Sequence, residues 1–127
     1  MVQEIDIYPT VMRLLGLPVH KGVQGMDLVP LMTGATAKGY DRVYCELDDL
    51  PDKTYVDCHA IRSTDWKLEY FPKARRGLLY NLREDPGELS NLFDDPRYSD
   101  VRHSMMMDLL DHLFTSKDPL PIRLSQA

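Results

Sequence analysis

The hydrophobic period of the chain changes twice along its length, and this limits the folds that it can adopt. Residues 6–32 and 95–114 carry apolar side chains at the three-to-four-residue spacing of helices. Between these regions, apolar and polar residues alternate as they do in strands. The sequence therefore predicts two short helices, a small antiparallel sheet of about four strands, and a long C-terminal helix that covers it. This arrangement belongs to the α+β class, with a boundary near residues 33–40.

The first helical segment, DIYPTVMRLLGLP, has start and stop signals. Asp6 is expected to cap the helix, Pro9 falls in its first turn, and Gly16 followed by Pro18 ends it. One apolar face, which requires a covering partner, would be formed by Ile7, Val11, Leu14 and Leu15. A second short helix is expected within GMDLVPLMTG at 25–34.

The alternating region predicts four strands. In DRVYCEL, one face would carry Val43, Cys45 and Leu47, and the other face Arg42, Tyr44 and Glu46, as in a half-buried strand. The segments CHAIRS, TDWKLEYF and GLLYNL give three more strands, with a tight turn at 63–65. Their short connections favour an antiparallel meander.

The last helix has the clearest start, because Asp95 can cap it and Pro96 suits its first position. Its predicted apolar stripe consists of Tyr98, Val101, Met105, Met106, Leu109, Leu110, Leu113 and Phe114. Residues 117–127 contain two prolines and are expected to be extended.

Charge and cysteine content exclude several functions. The net charge of −5 and the scattered basic residues disfavour nucleic-acid binding. No apolar run approaches the roughly twenty residues of a membrane helix, and the N-terminus lacks a signal-peptide pattern, so the chain is predicted to be soluble. Cys45 and Cys58 would bridge only if their strands are neighbours, and two buried free thiols are the favoured interpretation.

The candidate reactive residues form no complete catalytic set. Asp57 and His59 are two residues apart and would share a strand face, so they could form an Asp-His pair, although a polar rim is favoured. The acidic stretch that contains Asp48 and Asp49 could attract a cation, but it lacks the pattern of a calcium loop. The chain contains no nucleophile elbow, phosphate loop or dinucleotide motif.

Several segments, in this order, resemble the C-terminal part of sulfatases of the alkaline-phosphatase-like superfamily. These segments are EIDIYPTVMRLLGLPV, GVQGMDLVPLMTG, DRVYCEL, HAIRSTDWKLEYF and LLYNLREDPGELSNLFDDP. The residues that carry the resemblance include Asp6, Pro9, Thr10, Gly16, Arg62, Trp66, Lys67, Leu68, Leu79, Tyr80, Leu82, Asp85, Pro86, Glu88, Asn91 and Leu92. Asn81, where the family usually has Asp, and His20, where Pro is common, depart from the pattern.

The resemblance implies that the parent enzyme hydrolyses sulfate esters with a formylglycine nucleophile and a calcium ion. Those groups belong to a larger α/β domain that is expected to precede this segment, so no catalytic residue, metal ligand or cofactor is assigned to this chain. Cys58 and Arg62 have the spacing of the formylglycine motif, but Ala60 replaces its Pro. The match is therefore interpreted as coincidence.

The resemblance also divides the chain. Residues 1–38 would be the end of the catalytic domain and residues 39–127 the C-terminal subdomain. The expected partner is the missing catalytic domain, and the loop that contains Asp48, Asp49, Asp57 and His59 could line a substrate cleft. A free-standing binding module and a fragment of a phosphonate monoester or phosphodiester hydrolase remain alternatives, and the compartment, whether periplasmic, secreted or cytoplasmic, stays open.

Overall fold

The structure, a computed structural model, describes residues 1–36, 38–47 and 57–116. A 3-10 turn at Glu4–Asp6 leads into the first of three helices, and four strands lie between the second and the third. The helices are α1 Ile7–Leu14, α2 Val29–Met32 and α3 Ser99–Thr115, and the strands are β1 Val43–Leu47, β2 Cys58–Arg62, β3 Trp66–Phe71 and β4 Arg76–Asn81. The predicted α+β class is confirmed.

The described residues group into two compact units. One holds residues 40–113 together with Met1, and the other holds residues 2–39 with residues 114–116. We call them the sheet unit and the N-terminal unit. Within the N-terminal unit, the amide of Gln24 donates to the carbonyl of Ser116 at 2.8 Å.

The sheet unit is an antiparallel meander in the order β1-β2-β3-β4. Its core lies where α3 packs on one face of the sheet and consists of Ile61, Leu68, Leu79, Met105 and Leu109, all at most 5% exposed. Ile61, Leu68 and Leu79 are opposite one another in register on the three successive strands. The alternation therefore gives one continuous apolar row for the helix to cover.

The apolar face predicted for β1, formed by Val43, Cys45 and Leu47, is not the face that packs against the core. Tyr44 is the β1 residue that packs against the core, and its ring stacks on His112 of α3 with the centroids 3.6 Å apart. Cys45 and Leu47 are exposed, so the expectation of two buried thiols fails for Cys45. Burying the phenol ring beside Ile61 removes more apolar surface from water than burying a thiol does, and this reverses the simple apolar-in pattern.

The start of α3 follows the prediction. The Asp95 side chain accepts a hydrogen bond from the backbone N–H of Arg97 at 3.0 Å, and Pro96 opens a 3-10 turn at Pro96–Tyr98 that leads into the helix. The apolar stripe is narrower than predicted, because Leu110 and Phe114 are exposed. Leu110 lies about 100° around the helix from Leu109, which turns it away from the sheet.

In the N-terminal unit, Asp6 does not cap α1. Its side chain is fully buried and accepts from two backbone N–H groups, those of Gln3 at 2.7 Å and Met26 at 2.8 Å. Thr10 extends this link, since its hydroxyl donates to the Asp6 carbonyl and accepts from the N–H of Leu28. The 3-10 turn before α1 gives Asp6 helical backbone angles, whereas a capping residue needs extended ones.

Two glycines are required by this geometry. Gly16 follows α1 with φ +67°, the left-handed conformation expected after a helix. A side chain at Gly25 would clash with the backbone carbonyl of Ile5, so only glycine lets the 25–28 segment approach Asp6.

Candidate functional site

The structure brings the predicted Asp57 and His59 pair together at the start of β2. The Nε2 atom of His59 lies 3.1 Å from a carboxylate oxygen of Asp57, and its Nδ1 atom lies 3.8 Å from one of Glu46. Lys73 Nζ lies 3.9 Å from the other Asp57 oxygen. Both ring nitrogens therefore face carboxylates, but only Nε2 is within hydrogen-bonding distance of one. Asp48 and Asp49 lie outside the described residues.

The Cys58 thiol has none of the features of an activated nucleophile. Burial, together with the charge of Glu69, raises its pKa, so at neutral pH it is protonated. It lies within β2 on the face opposite His59, whereas the formylglycine motif belongs at the start of a helix.

The implied calcium ion does not fit these residues. No three His, Cys, Asp or Glu side chains within residues 1–36, 38–47 and 57–116 are grouped as metal ligands. Glu46 and Asp57 face opposite nitrogens of the His59 ring, so their oxygens do not converge on one point.

A second polar group lies on the sheet face that α3 leaves uncovered. Lys67 Nζ contacts Glu69 at 2.7 Å and Glu88 at 2.6 Å, and Arg62 lies 4.0 Å from Glu88. Burial opposes the charge on Lys67, but its hydrogen bonds to the two glutamates outweigh this and raise its pKa. These contacts tie β3 to the turn at Glu88, so the role of Lys67 is architectural.

The turn from Leu78 to Pro96 is likewise architectural. Asn91 Oδ1 accepts from the N–H of Leu79 at 2.9 Å and its amide donates to the carbonyl of Gly77, while Leu92 N–H donates to the Leu79 carbonyl at 2.8 Å. The segment thus satisfies the outer edge of β4 as a neighbouring strand would. Glu88 adopts φ +55° in the turn that Asp85 closes.

A candidate interaction surface in the N-terminal unit is the apolar face of α1. We define the α1 face by its four residues, which are 44–65% exposed: Ile7, Val11, Leu14 and Leu15. This exposure agrees with the prediction that the apolar face of the first helix requires a covering partner. Grouped apolar side chains of this kind mark interaction sites more often than scattered ones do.

One further feature has no signal in the sequence: a cleft at the end of the sheet, lined by residues of three separate segments, among them Arg42, Ser63 and Trp66. Only the meander and α3 bring these residues together. Among the described residues, no helix is both long and apolar enough to cross a membrane.

Comparisons with known proteins agree with the fold. Residues 1–114 match the sequence model of the family described as N-sulphoglucosamine sulphohydrolase, C-terminal. The Δ4,5-hexuronate-2-O-sulfatase of Bacteroides thetaiotaomicron is 28% identical over 117 residues, which cover 90% of this chain and 24% of that protein. The uncharacterized sulfatase YidJ of Escherichia coli is 30% identical over 120 residues, which cover 93% of this chain and 23% of that protein.

A solved structure from a related class of hydrolase also matches. The phosphonate monoester hydrolase of Agrobacterium radiobacter superposes with a TM-score of 0.76 at 29% identity, over 89% of this chain and 25% of that one. The chain therefore spans about a quarter of the length of each of these three proteins. Because the family match covers residues 1–114, the chain belongs to the family of C-terminal sulfatase domains typified by N-sulphoglucosamine sulphohydrolase.

Proposed function

We propose that the chain acts as the C-terminal part of a sulfatase whose larger domain carries the catalytic residues. The observation that carries this proposal is the family match over residues 1–114 in a chain that spans about a quarter of the length of the two sulfatases described above. In such a parent, calcium and formylglycine would supply charge neutralisation and the nucleophile for sulfate-ester hydrolysis. The residues of this chain provide structure beside that site.

The proposed substrate class is a sulfated sugar. The name of the B. thetaiotaomicron relative specifies a hexuronate sulfate, which supports this choice. We further propose that the segment containing Asp48, Asp49, Asp57 and His59 lines the substrate cleft of the parent. The closely spaced Asp57 and His59 pair supports it, since polar side chains on connecting loops often contact substrates.

The proposed division of the chain assigns residues 1–38 to the end of the catalytic domain and residues 39–127 to the C-terminal subdomain. The α1 face supports this division, because an apolar helix face within a folded protein is normally covered. The occupant that we propose is the larger domain of the parent, which corresponds to the roughly three-quarters of the two sulfatase relatives that this chain does not match.

A phosphonate monoester hydrolase is the second candidate parent, favoured by the 29% identical structure. Sulfate and phosphonate monoesters both place negative charge on oxygens around a tetrahedral centre, so the same type of site serves both. The part of the parent that would select between them is the larger domain.

An activity assay tests the proposed function. We expect the isolated chain, expressed with a formylglycine-generating enzyme and assayed with calcium, to hydrolyse neither an aryl sulfate nor a phosphonate monoester. The physical reason is that the described residues offer neither an activated nucleophile nor convergent metal ligands. The Cys58→Ala variant is the matched control.

Each outcome of that assay is informative. Turnover that disappears in Cys58→Ala would identify Cys58 as the nucleophile and contradict the proposed division of labour. Turnover that survives in Cys58→Ala would also contradict it, since activity would then reside in this chain without formylglycine.

A further inference from the structure

A cleft with two adjoining compartments lies at one end of the sheet unit. The wider compartment has a volume of about 680 Å³ and the narrower one about 330 Å³. Arg42 and Ser63 line both compartments, so the two compartments adjoin. We call this feature the sheet-end cleft, and its volume falls in the range of small-molecule sites.

The two compartments differ in chemistry. The wider one is mainly polar, and its remaining lining residues are Tyr40, Asp41, Tyr44, Thr64 and Asp65. The narrower one combines apolar and hydroxyl-bearing side chains, namely Trp66, Asp100, Val101, Ser104 and Met105. An aromatic ring beside a few polar groups is the usual composition of a site that orients a partly apolar ligand.

The walls of the cleft are held in place by hydrogen bonds. Ser63 Oγ accepts from the N–H groups of Asp65 at 3.3 Å and Trp66 at 3.0 Å, which fixes the turn between β2 and β3. Arg42 contacts Asp108 of α3 at 2.6 Å and so ties the start of β1 to the helix. A cleft whose walls are already fixed loses little conformational entropy when a ligand binds.

The charges of the cleft disfavour an anion. Its described lining contains three carboxylates, on Asp41, Asp65 and Asp100, and one guanidinium, on Arg42. Arg42 is already paired with Asp108, and Asp65 is paired with Arg83 at 2.6 Å. The one guanidinium among the described lining residues is therefore already engaged and is not available to a sulfate or carboxylate group, whereas an uncharged ligand does not need it.

We propose that the sheet-end cleft binds an uncharged sugar ring. Trp66 and Val101, which are only partly buried, offer an apolar surface to the C–H face of the ring, and the hydroxyl of Ser104 and the carboxylate of Asp100 can bond ring hydroxyls. The proposal rests on the proposed function, because the sulfated-sugar substrate class is what indicates a sugar. In this proposal, the substrate of the parent is a glycan, and the cleft binds one of its unsulfated sugar residues at a distance from the sulfate that reacts.

The chain provides its own reporter for this site, because Trp66 is its single tryptophan. We expect N-acetylglucosamine, titrated into the isolated chain, to change the Trp66 emission along a saturable curve with a Kd on the order of 1 mM. Ser104→Phe should fill the narrower compartment and weaken binding by about tenfold or more. Ser104 is exposed on α3, so the larger side chain leaves the core intact.

His103→Phe is the matched control. His103 is the exposed neighbour of Ser104 on α3 and does not line the cleft, so this variant should bind N-acetylglucosamine as the unsubstituted chain does. Thermal unfolding of both variants checks that the fold is retained. If Ser104→Phe unfolds, Ser104→Leu repeats the test with a smaller group.

Three results would overturn the proposal. They are an emission that does not saturate, equal binding by Ser104→Phe and His103→Phe, and tighter binding of N-acetylglucosamine 6-sulfate than of N-acetylglucosamine. The assay needs no turnover, so its failure is distinguishable from failure of the proposed function. If the chain binds the sugar but proves not to belong to a sulfatase, the proposed sugar site stands and the proposed function is rejected. If it belongs to a sulfatase but does not bind the sugar, the proposed function stands and the sugar site is rejected.

Discussion

Asp6→Ala should open the N-terminal unit, although Asp6 touches no reacting group. Its carboxylate is fully buried and accepts from the N–H groups of Gln3 and Met26. A fully buried N–H that loses its acceptor costs about 1–3 kcal/mol, and because Gln3 and Met26 are half-buried, the pair costs at most roughly 2–6 kcal/mol. This is a large fraction of the roughly 5–15 kcal/mol that stabilises a typical domain.

Amide hydrogen exchange measures this effect directly. In Asp6→Ala, the Met26 amide should exchange orders of magnitude faster, and Asp6→Asn should give an intermediate result because it keeps one acceptor oxygen. Glu4→Ala, in the same 3-10 turn but exposed, is the control and should leave exchange unchanged. Unaltered protection of Met26 in Asp6→Ala would show that Asp6 does not hold the unit together.

The paired substitution Val11→Lys and Leu14→Lys should suppress self-association of the isolated chain. Both side chains belong to the α1 face and are 44% and 62% exposed. If a larger domain covers this apolar surface in the parent, as proposed, its exposure in the isolated chain should cause self-association and binding of an apolar dye. Two lysines on the face replace that surface with charge, and they lie near the C-terminal end of α1, where the helix dipole favours cations.

Sedimentation velocity and dye fluorescence provide the readouts. The control pair is Leu47→Lys and Leu89→Lys, which adds the same charge at apolar residues that are 48% and 88% exposed in the sheet unit. We expect this control variant to self-associate to the same extent as the unsubstituted chain. Two results would instead favour a free-standing binding module. One is an unsubstituted chain that is monomeric and binds no dye, and the other is an equal decrease in self-association in both pairs of substitutions.

Much of the sheet unit could be predicted because its signals are local. The strands β2, β3 and β4 each alternate over five or six residues, and the turns between them carry their own polar residues. Asp95 and Pro96 fix the start of α3 through contacts within three residues. Where the contacts that determine an element join residues close in sequence, the sequence pattern is sufficient to predict that element.

The predictions that failed depend on contacts that are distant in sequence. Asp6 seemed a helix cap because its partner Met26 lies twenty residues away. The β1 face was reversed because the stack of Tyr44 on His112 of α3 outweighs the apolar pattern of Cys45 and Leu47. The sheet-end cleft was missed for the same reason, since its walls come from β1, the β2–β3 turn and α3.

The family resemblance carries structural information and little catalytic information. Leu68 and Leu79 belong to the core, Lys67 and Glu88 tie a strand to a turn, and Asn91 closes a sheet edge. A set of residues can therefore identify a hydrolase family while each member acts only in the fold.

The DNA immediately upstream of the Met1 codon in the source genome tests the central claim most directly. If the chain is the C-terminal part of a sulfatase, sequencing should find an uninterrupted in-frame coding region that contains Cys or Ser followed by x-Pro-x-Arg. An in-frame stop codon directly before Met1, with no such motif in the same frame, would contradict the claim.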